Sequence, residues 1–551
     1  MNSSSSIAAI DAGNPSPTQL DAWKTLSDAA RRLANTPVSE LYRADPQRFT
    51  RFSLSHDGLV ADFSKQRIDG AVLDALLRLA EEAGVADAVR ALFNGAPLNF
   101  TENRPALHMA LRGSATVPAA DAAQLADSLE RMRALARALR AGEVYGASGK
   151  VIRRVINLGI GGSDFGPRVA FEALRDPLSP APLAVDFVAS IDRHALAAAL
   201  AHADPHSTLF IVSSKSFSTP ETLANAEAAH AWLRAELGQE ADLSAHFAAV
   251  SNHRQRAIEF GISATRVLTL PEWVGGRYSV WSAVGLPLLI AIGEEDFDAF
   301  LAGARSMDEH FRTAPAASNL PLLMGLIGLW NINFLDCDSL SVLPYAHGLS
   351  NFPAWLQQLD MESNGKRRRR DGGEVDTDTA PIVFGLPGTV GQHTFHQLLY
   401  QGTRRIAADF IVPVRSEDPR SEALMNSALA QSLAMMEGCS LEAARDKLLA
   451  AGQTADEAQR LAPHLVCPGN LPSTTLLLPG LTPRALGQLF ALYEHKIFVQ
   501  GWIWGINSFD QYGVELGKEM ARQMHASTAQ PPHPATAGLL EAIQRIRKTY
   551  R

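Results

Sequence analysis

The sequence predicts an α/β protein built on doubly wound parallel sheets, with helical segments before and after them. Three observations carry that expectation. From residue 151 onward, short β-rich runs alternate with helix-like stretches, the pattern of βαβ units with helices on both faces of a sheet. The alternation returns in a second region, about 339–414. On either side, Ala and Leu recur at helical spacing.

Taken in order, residues 1–20 read as a flexible polar tail, with Ser3 to Ser6 in place of the basic and apolar regions of a signal peptide. Residues from about 20 to 149 read as helical, most clearly at 71–77 and 123–139. Strands are expected at 151–160, 183–189, 208–213 and 264–270, with a helix over 220–237. The apolar run 320–335 is interrupted by Asn331 and Asn333 and falls short of the roughly 20 residues of a membrane span, so it reads as a buried core helix. Further strands are expected at 339–343, 381–384 and 409–412, the last closed by Pro413, which cannot donate to a ladder. Residues 420–460 are helical again, and an amphipathic helix over 537–550 follows the Pro-rich break at 530–534.

Composition excludes several function classes. The 551 residues are 46% hydrophobic and 20% charged, ordinary for a folded protein of about three domains. A net charge of −8 argues against tracking nucleic acid, which favours a basic excess. The run Lys366 to Arg370 is answered at once by Asp371, Glu374, Asp376 and Asp378, so it reads as a solvated, locally neutralised loop. Cys337, Cys439 and Cys467 are few and widely spaced. They make no disulfide framework or metal pattern, which suits a reducing cytoplasm, and each reads as a small buried hydrophobe.

Six segments could carry chemistry. Glu272 to Gly285 sets Arg277 between a glycine pair and an aromatic–serine step, which brings a permanent planar cation close to backbone and suits an anionic ligand or a developing charge. Ser213 to Thr222 follows a strand and opens a helix. Its hydroxyls, with Lys215 and free N–H groups at the helix start, make a phosphate cradle, although Ser218 and Glu221 also have capping-box spacing and Pro220 suits a first turn. Gly159-Ile160-Gly161-Gly162-Ser163-Asp164 fails the dinucleotide fingerprint at Asp164 and reads either as a turn near a sugar or phosphate or as a purely structural turn. Gln357 to Lys366 holds Asp360 and Glu362, one of which could be a base in a partly dry cleft, or both of which could lie on a solvated loop. In Gly388 to His396, His393 could act as acid or base, but a structural histidine explains it as well, and no zinc motif accompanies His393 and His396. A last run, Gly501 to Lys518, places Gln511 and Lys518 after an aromatic cluster, and core aromatics with an exposed lysine would account for it too.

The Arg277 segment and the Gly501–Lys518 segment closely resemble the two signatures of the glucose-6-phosphate isomerase family. The resemblance extends to Asn99 through Arg112, the Gly159 turn, the Ser214 cradle, Met361 through Lys366, and Leu492 through Gly501. It implies two sugar-isomerase-type doubly wound domains in one chain: a tail at 1–20, a helical part of the large domain at 21–120, a small domain at 121–289, and the large domain with a C-terminal helical extension at 290–551. It implies interconversion of glucose 6-phosphate and fructose 6-phosphate with no metal or organic cofactor, in a cytoplasmic homodimer without nucleic-acid or membrane partners. It casts Glu362 as the base, Arg277 as the stabiliser of the enediolate, and Lys518 and His393 as ring-opening groups, the histidine coming from the neighbouring subunit. Ser214, Lys215, Ser216 and Thr219 would hold phosphate; Gly162, Ser163, Gln358 and Gln511 would line the sugar or phosphate; Glu221 would support the histidine. Leu386 and Val390 depart from the family's usual Glu and Asn, which bears on rate and pH dependence rather than on reaction type.

Overall fold

The computed structural model describes residues 16–179, 181–415, 418–526 and 533–550. The described residues up to Phe509 form one compact unit and those from Asp510 a second. Most of the expected 1–20 tail, and most of the Pro-rich break, lie outside the described residues. Residues 17–19 make a single 3-10 turn, and the Ser16 and Thr18 hydroxyls bond the Asp376 carboxylate.

The first unit holds two sheets. Its strands in chain order are β1 (Ser53–His56), β2 (Leu59–Asp62), β3 (Arg154–Gly159), β4 (Ala184–Val188), β5 (Thr208–Ser213), β6 (Phe247–Val250), β7 (Val267–Leu268), β8 (Ser339–Pro344), β9 (Ile382–Phe384), β10 (Ile406–Arg415) and β11 (Ser473–Gly480). A five-stranded sheet runs β4-β3-β5-β6-β7, and every pair is parallel. A six-stranded sheet runs β1-β2-β11-β10-β8-β9, parallel from β11 to β9 and antiparallel where the β1–β2 hairpin joins it. The doubly wound parallel architecture is the one expected from the β/α alternation.

Five strands depart from the sequence reading. β1 and β2 fall inside a segment read as helical. Asp57 and Gly58 both adopt positive φ at their turn, the backbone that a two-residue hairpin demands. β6, Phe-Ala-Ala-Val, is too short and alanine-rich to show its strand character, and it is held between β5 and β7 instead. β11 is a plain Thr- and Leu-rich run that the reading passed over. Pro413 does not end its strand. β10 continues to Arg415 with Pro413 opposite Leu478, because β8 stops opposite Ile411 and leaves that edge without a ladder beyond it.

The expected core helix is present as Leu320–Phe334, its N-terminus capped by the Asn319 side chain. It packs on helix Pro483–Ile503, which is buried on every side from Ala485 to Ile503 and also lies against helix Glu294–Thr313. Helices approach this closely only through glycine. A Cβ at Gly487 would fall 2.0 Å from the Phe300 carbonyl oxygen, and one at Gly303 would fall 1.9 Å from that of Arg484.

Burial all round obliges the helix's polar residues to find partners inside. Glu494 accepts from Trp281 Nε1 at 2.8 Å and from Arg112 at 2.7 Å. Arg112 also pairs with both oxygens of Asp308 at 2.6 Å, and His495 reaches Asp308 at the same distance. Burial pushes the Asp308 carboxyl up, but Arg112 and His495 outweigh it and hold it at about 2.

The second unit consists of helices Tyr512–Ala526 and Pro534–Thr549, the latter close to the expected 537–550. Leu516, Met520, Leu539, Ile543 and Ile546 on them are exposed. Among the described residues no helix is long and apolar enough to cross a membrane. Cys337 is buried as expected. Cys439 and Cys467 are only partly buried, a correction that follows from their place in a surface turn region rather than in either core.

Candidate active site

Register assembles the site. β3 and β5 are neighbours with Gly159 opposite Ser213, so the Gly159 turn and the Ser214 cradle emerge side by side at the carboxyl ends of the strands, where ligands bind in open α/β sheets. Asn157, fully buried on β3, ties the two together. It accepts from Ser213 Oγ at 2.7 Å and donates to the Ser163 carbonyl at 3.0 Å.

The cradle departs from the expected capping box. Helix Pro220–Leu237 starts after Thr219, whose side chain makes no cap bond; its Oγ1 lies 3.0 Å from Ser214 Oγ. Ser218 donates to Ser216 Oγ at 2.7 Å instead of capping. The first-turn N–H groups therefore keep no side-chain acceptor, which suits an anion. Lys215 projects from the same loop. Burial lowers its pKa, opposed by Glu272 at 3.2 Å, and its Nζ also donates to the Glu272 and Val274 carbonyls at 3.0 and 3.3 Å. That contact joins the cradle to the Arg277 loop. Arg104 closes the same cluster, 2.8 Å from Glu272.

Arg277 sits in a 3-10 turn, its side chain 1% exposed. Its turn presses on the Gly159 turn so tightly that a Cβ at Gly162 would fall 2.0 Å from the Gly276 oxygen. Arg277 Nη1 donates to Glu362 Oε1 at 3.0 Å, Nε to Ser363 Oγ at 2.6 Å, and Nη2 to the Ser508 carbonyl at 2.7 Å. Tyr278 OH shares Ser363 Oγ at 2.9 Å, and burial raises that phenol to about 12.

Glu362 does not lie on a solvated loop. Gln357–Glu362 is a π-helical turn continuing helix Phe352–Leu356. Such turns add a residue per turn and re-aim side chains, often at functional sites. Here Asp360 points inward to Lys496 at 3.1 Å, with both side chains almost fully buried, while Glu362 keeps 23% exposure. Gln358 Nε2 holds Glu362 Oε2 at 3.1 Å. Glu362 is thus a partly exposed carboxylate with a fixed cation on one oxygen and an amide on the other.

The structure brings together Gly162, Ser163, Arg277, Gln358 and Glu362, and links them through Lys215 to Ser214, Ser216 and Thr219. Glu221 stands in the first helical turn, partly buried, its side chain making no hydrogen bond to a described residue. His393 ends helix Gly388–Gln392 exposed, and its ring bonds neither Arg277 nor Glu362. His396 does not pair with it for a metal; it faces Gln431 at 3.3 Å. Gln511 and Lys518 belong to the second unit, where Lys518 pairs with Glu515 at 2.7 Å on an exposed helix face. Sequence reasoning missed Asn157, Tyr278 and Ser508 as supports of the site and overlooked Ser363, although Ser363 adjoins Glu362 in a run already singled out. The basic run is less solvated than expected. Arg368 and Arg369 pair with Glu374 and Asp371, but Arg370 stacks 3.9 Å over the Trp502 ring.

One parallel and one largely parallel sheet, an uncapped helix start beside Lys215 and a buried arginine on a partly exposed carboxylate define an α/β protein of the sugar-isomerase type. The model of the phosphoglucose isomerase family matches residues 62–538. A glucose-6-phosphate isomerase of Aromatoleum aromaticum is 60% identical over 534 residues, covering 97% of this chain and 98% of its own length. One of Hahella chejuensis is 46% identical over 95% of this chain and 97% of its own. The crystal structure of a glucose-6-phosphate isomerase from Chlamydia trachomatis matches with a TM-score of 0.82 at 32% identity, covering 97% of this chain and 100% of that one. This chain belongs to the phosphoglucose isomerase family.

Proposed function

We infer that the chain is an aldose–ketose isomerase that interconverts D-glucose 6-phosphate and D-fructose 6-phosphate, a step of glycolysis and gluconeogenesis. The observation that carries the reading is the 3.0 Å pair between buried Arg277 and partly exposed Glu362, set beside the cradle at Ser214. The phosphate would bind the N-terminal turn of helix Pro220–Leu237 with Ser214, Lys215, Ser216 and Thr219. Gly162, Ser163, Gln358 and Gln511 would border the sugar.

Glu362 would take the proton from C2 of the open-chain aldose and return it to C1, or the reverse. The oxygen that becomes anionic in the cis-enediolate would face Arg277, a cation that needs no reorganisation because three acceptors already fix it. Lys518 and His393 would move the protons that open the ring. We assign His393 to the site of a second copy of the chain in a homodimer, with Glu221 supporting it, and place the protein in the cytoplasm. We divide the chain into a tail at 1–20, a small domain at 121–289 around the five-stranded sheet, and a large domain from 21–120 and 290–551 with its C-terminal helical extension. The proton returns to the same substrate molecule, so the chemistry as written needs no hydride acceptor, metal or organic cofactor.

The test is conversion of fructose 6-phosphate to glucose 6-phosphate in EDTA, followed by a coupled dehydrogenase, with the Glu362→Gln protein alongside. The expected result is EDTA-resistant turnover that falls about 10²–10⁴-fold in the variant while fructose 6-phosphate still binds. Binding without turnover in the parent protein would point to a sugar-phosphate sensor. Undiminished turnover in Glu362→Gln would move the base elsewhere.

A further inference from the structure

Outside the site, two of the three cysteines face each other. Cys439 and Cys467 make an isolated antiparallel bridge between the end of helix Arg420–Glu437 and the approach to β11. Cys439 N–H donates to the Cys467 carbonyl at 2.8 Å, and Cys467 N–H to that of Cys439 at 3.0 Å. Opposed residues that exchange both bonds stand about 5.5 Å apart at Cα with side chains on one face. Disulfides span that separation without backbone movement. Both cysteines are partly exposed, unlike Cys337. Each thiol now donates to a carbonyl, Cys439 Sγ to Ser440 at 3.8 Å and Cys467 Sγ to Leu465 at 3.8 Å. Lys447 Nζ lies 3.7 Å from Cys439 Sγ, a cation beside one sulfur only.

We propose that Cys439 and Cys467 are a thiol pair that closes into a reversible intrachain disulfide when the protein meets a low-molecular-weight disulfide such as glutathione disulfide. The Cys439 thiolate, next to Lys447, attacks one sulfur of glutathione disulfide and expels a glutathione thiolate. The Cys467 thiolate then attacks Cys439 Sγ in the mixed disulfide and expels the second glutathione thiolate. The two cysteine thiols are oxidised, one glutathione disulfide is reduced to two glutathione molecules, and the two cysteine protons end on them. The bond closes a loop that carries helices Leu441–Ala450 and Ala455–Leu461. That loop is already tied to helix His396–Gln401, because Gln401 donates to the His464 and Val466 carbonyls at 3.0 and 2.9 Å. Oxidation would therefore brace a segment beside the helix pair that carries His393.

The experiment treats the native full chain with glutathione disulfide and reads its intact mass and its non-reducing peptide map. The expected product is lighter by two hydrogen atoms, carries a single Cys439–Cys467 cross-linked peptide, keeps Cys337 free, and reverts with dithiothreitol. Cys439→Ser should lose the cross-link while matching the melting temperature of the reduced parent. An unchanged mass, a stable glutathione adduct without the internal link, or a link that appears only between chains would each overturn the proposal.

Discussion

Arg277 donates to Glu362, to Ser363 and to the Ser508 carbonyl, three partners from different parts of the chain. A guanidinium so held can meet a developing oxyanion without moving. One of these supports is Ser363 Oγ, the acceptor for Nε and the partner of Tyr278 OH. Ser363→Ala leaves a buried cationic N–H without that acceptor, an effect of about 1–3 kcal/mol. If Arg277 works mainly in the transition state, kcat should fall about tenfold or more with KM shifted much less. Ser363→Thr, which keeps the hydroxyl, should recover most of the loss. Equal kcat for all three proteins would remove Ser363 from the positioning of Arg277. Arg277 itself was legible because its chemistry sits in one contiguous loop. Its supports were not, since Ser508 acts through a backbone carbonyl and Asn157 through a strand pairing that no local pattern announces.

At the scale of elements, the packing of one turn decides what Glu362 is. Two positions apart, Asp360 and Glu362 face opposite ways on any helical turn, but the local sequence does not say which of them is buried. The turn packs with Asp360 inward on Lys496 and Glu362 outward, held by Arg277 and Gln358. Lys496 comes from the buried helix Pro483–Ile503, so that helix anchors the turn. Breaking this buried pair by Lys496→Met strands the Asp360 carboxylate and should destabilise the fold by about 3–5 kcal/mol in urea unfolding. A loss under about 1 kcal/mol would mean the pair is not the anchor. The β1–β2 hairpin teaches the same lesson from the other side. Asp57-Gly58 was a readable turn signal, but two four-residue strands beside long alanine-rich helices carry too little periodicity to stand out.

For the whole molecule, the buried polar centre sets the response to acid. Burial lowers the pKa of His108, His246, His310 and His495, with His310 brought to about 4. The unfolded chain protonates these rings near their ordinary value while the fold resists. Between roughly pH 6.5 and 4 the unfolded state therefore holds more protons, and stability falls as pH is lowered. Asp308, held at about 2, adds stability that is complete above its ordinary value and is lost only as pH falls toward 2. The urea midpoint should be lower at pH 5 than at pH 7.5, and equal midpoints would contradict the buried, neutral histidines.

The sequence by itself determined the α/β class, the buried helix at Leu320–Phe334, the Arg277 loop and the cradle after β5, because each is written in neighbouring residues as a period, a turn or a cluster of one chemistry. Only the tertiary structure decided that Gly162 abuts Gly276, that Asp360 rather than Glu362 turns inward, and that Cys439 meets Cys467. Those facts depend on strand order and on helices packed at glycine distance. Such contacts join residues far apart in the chain, and local pattern holds no information about them.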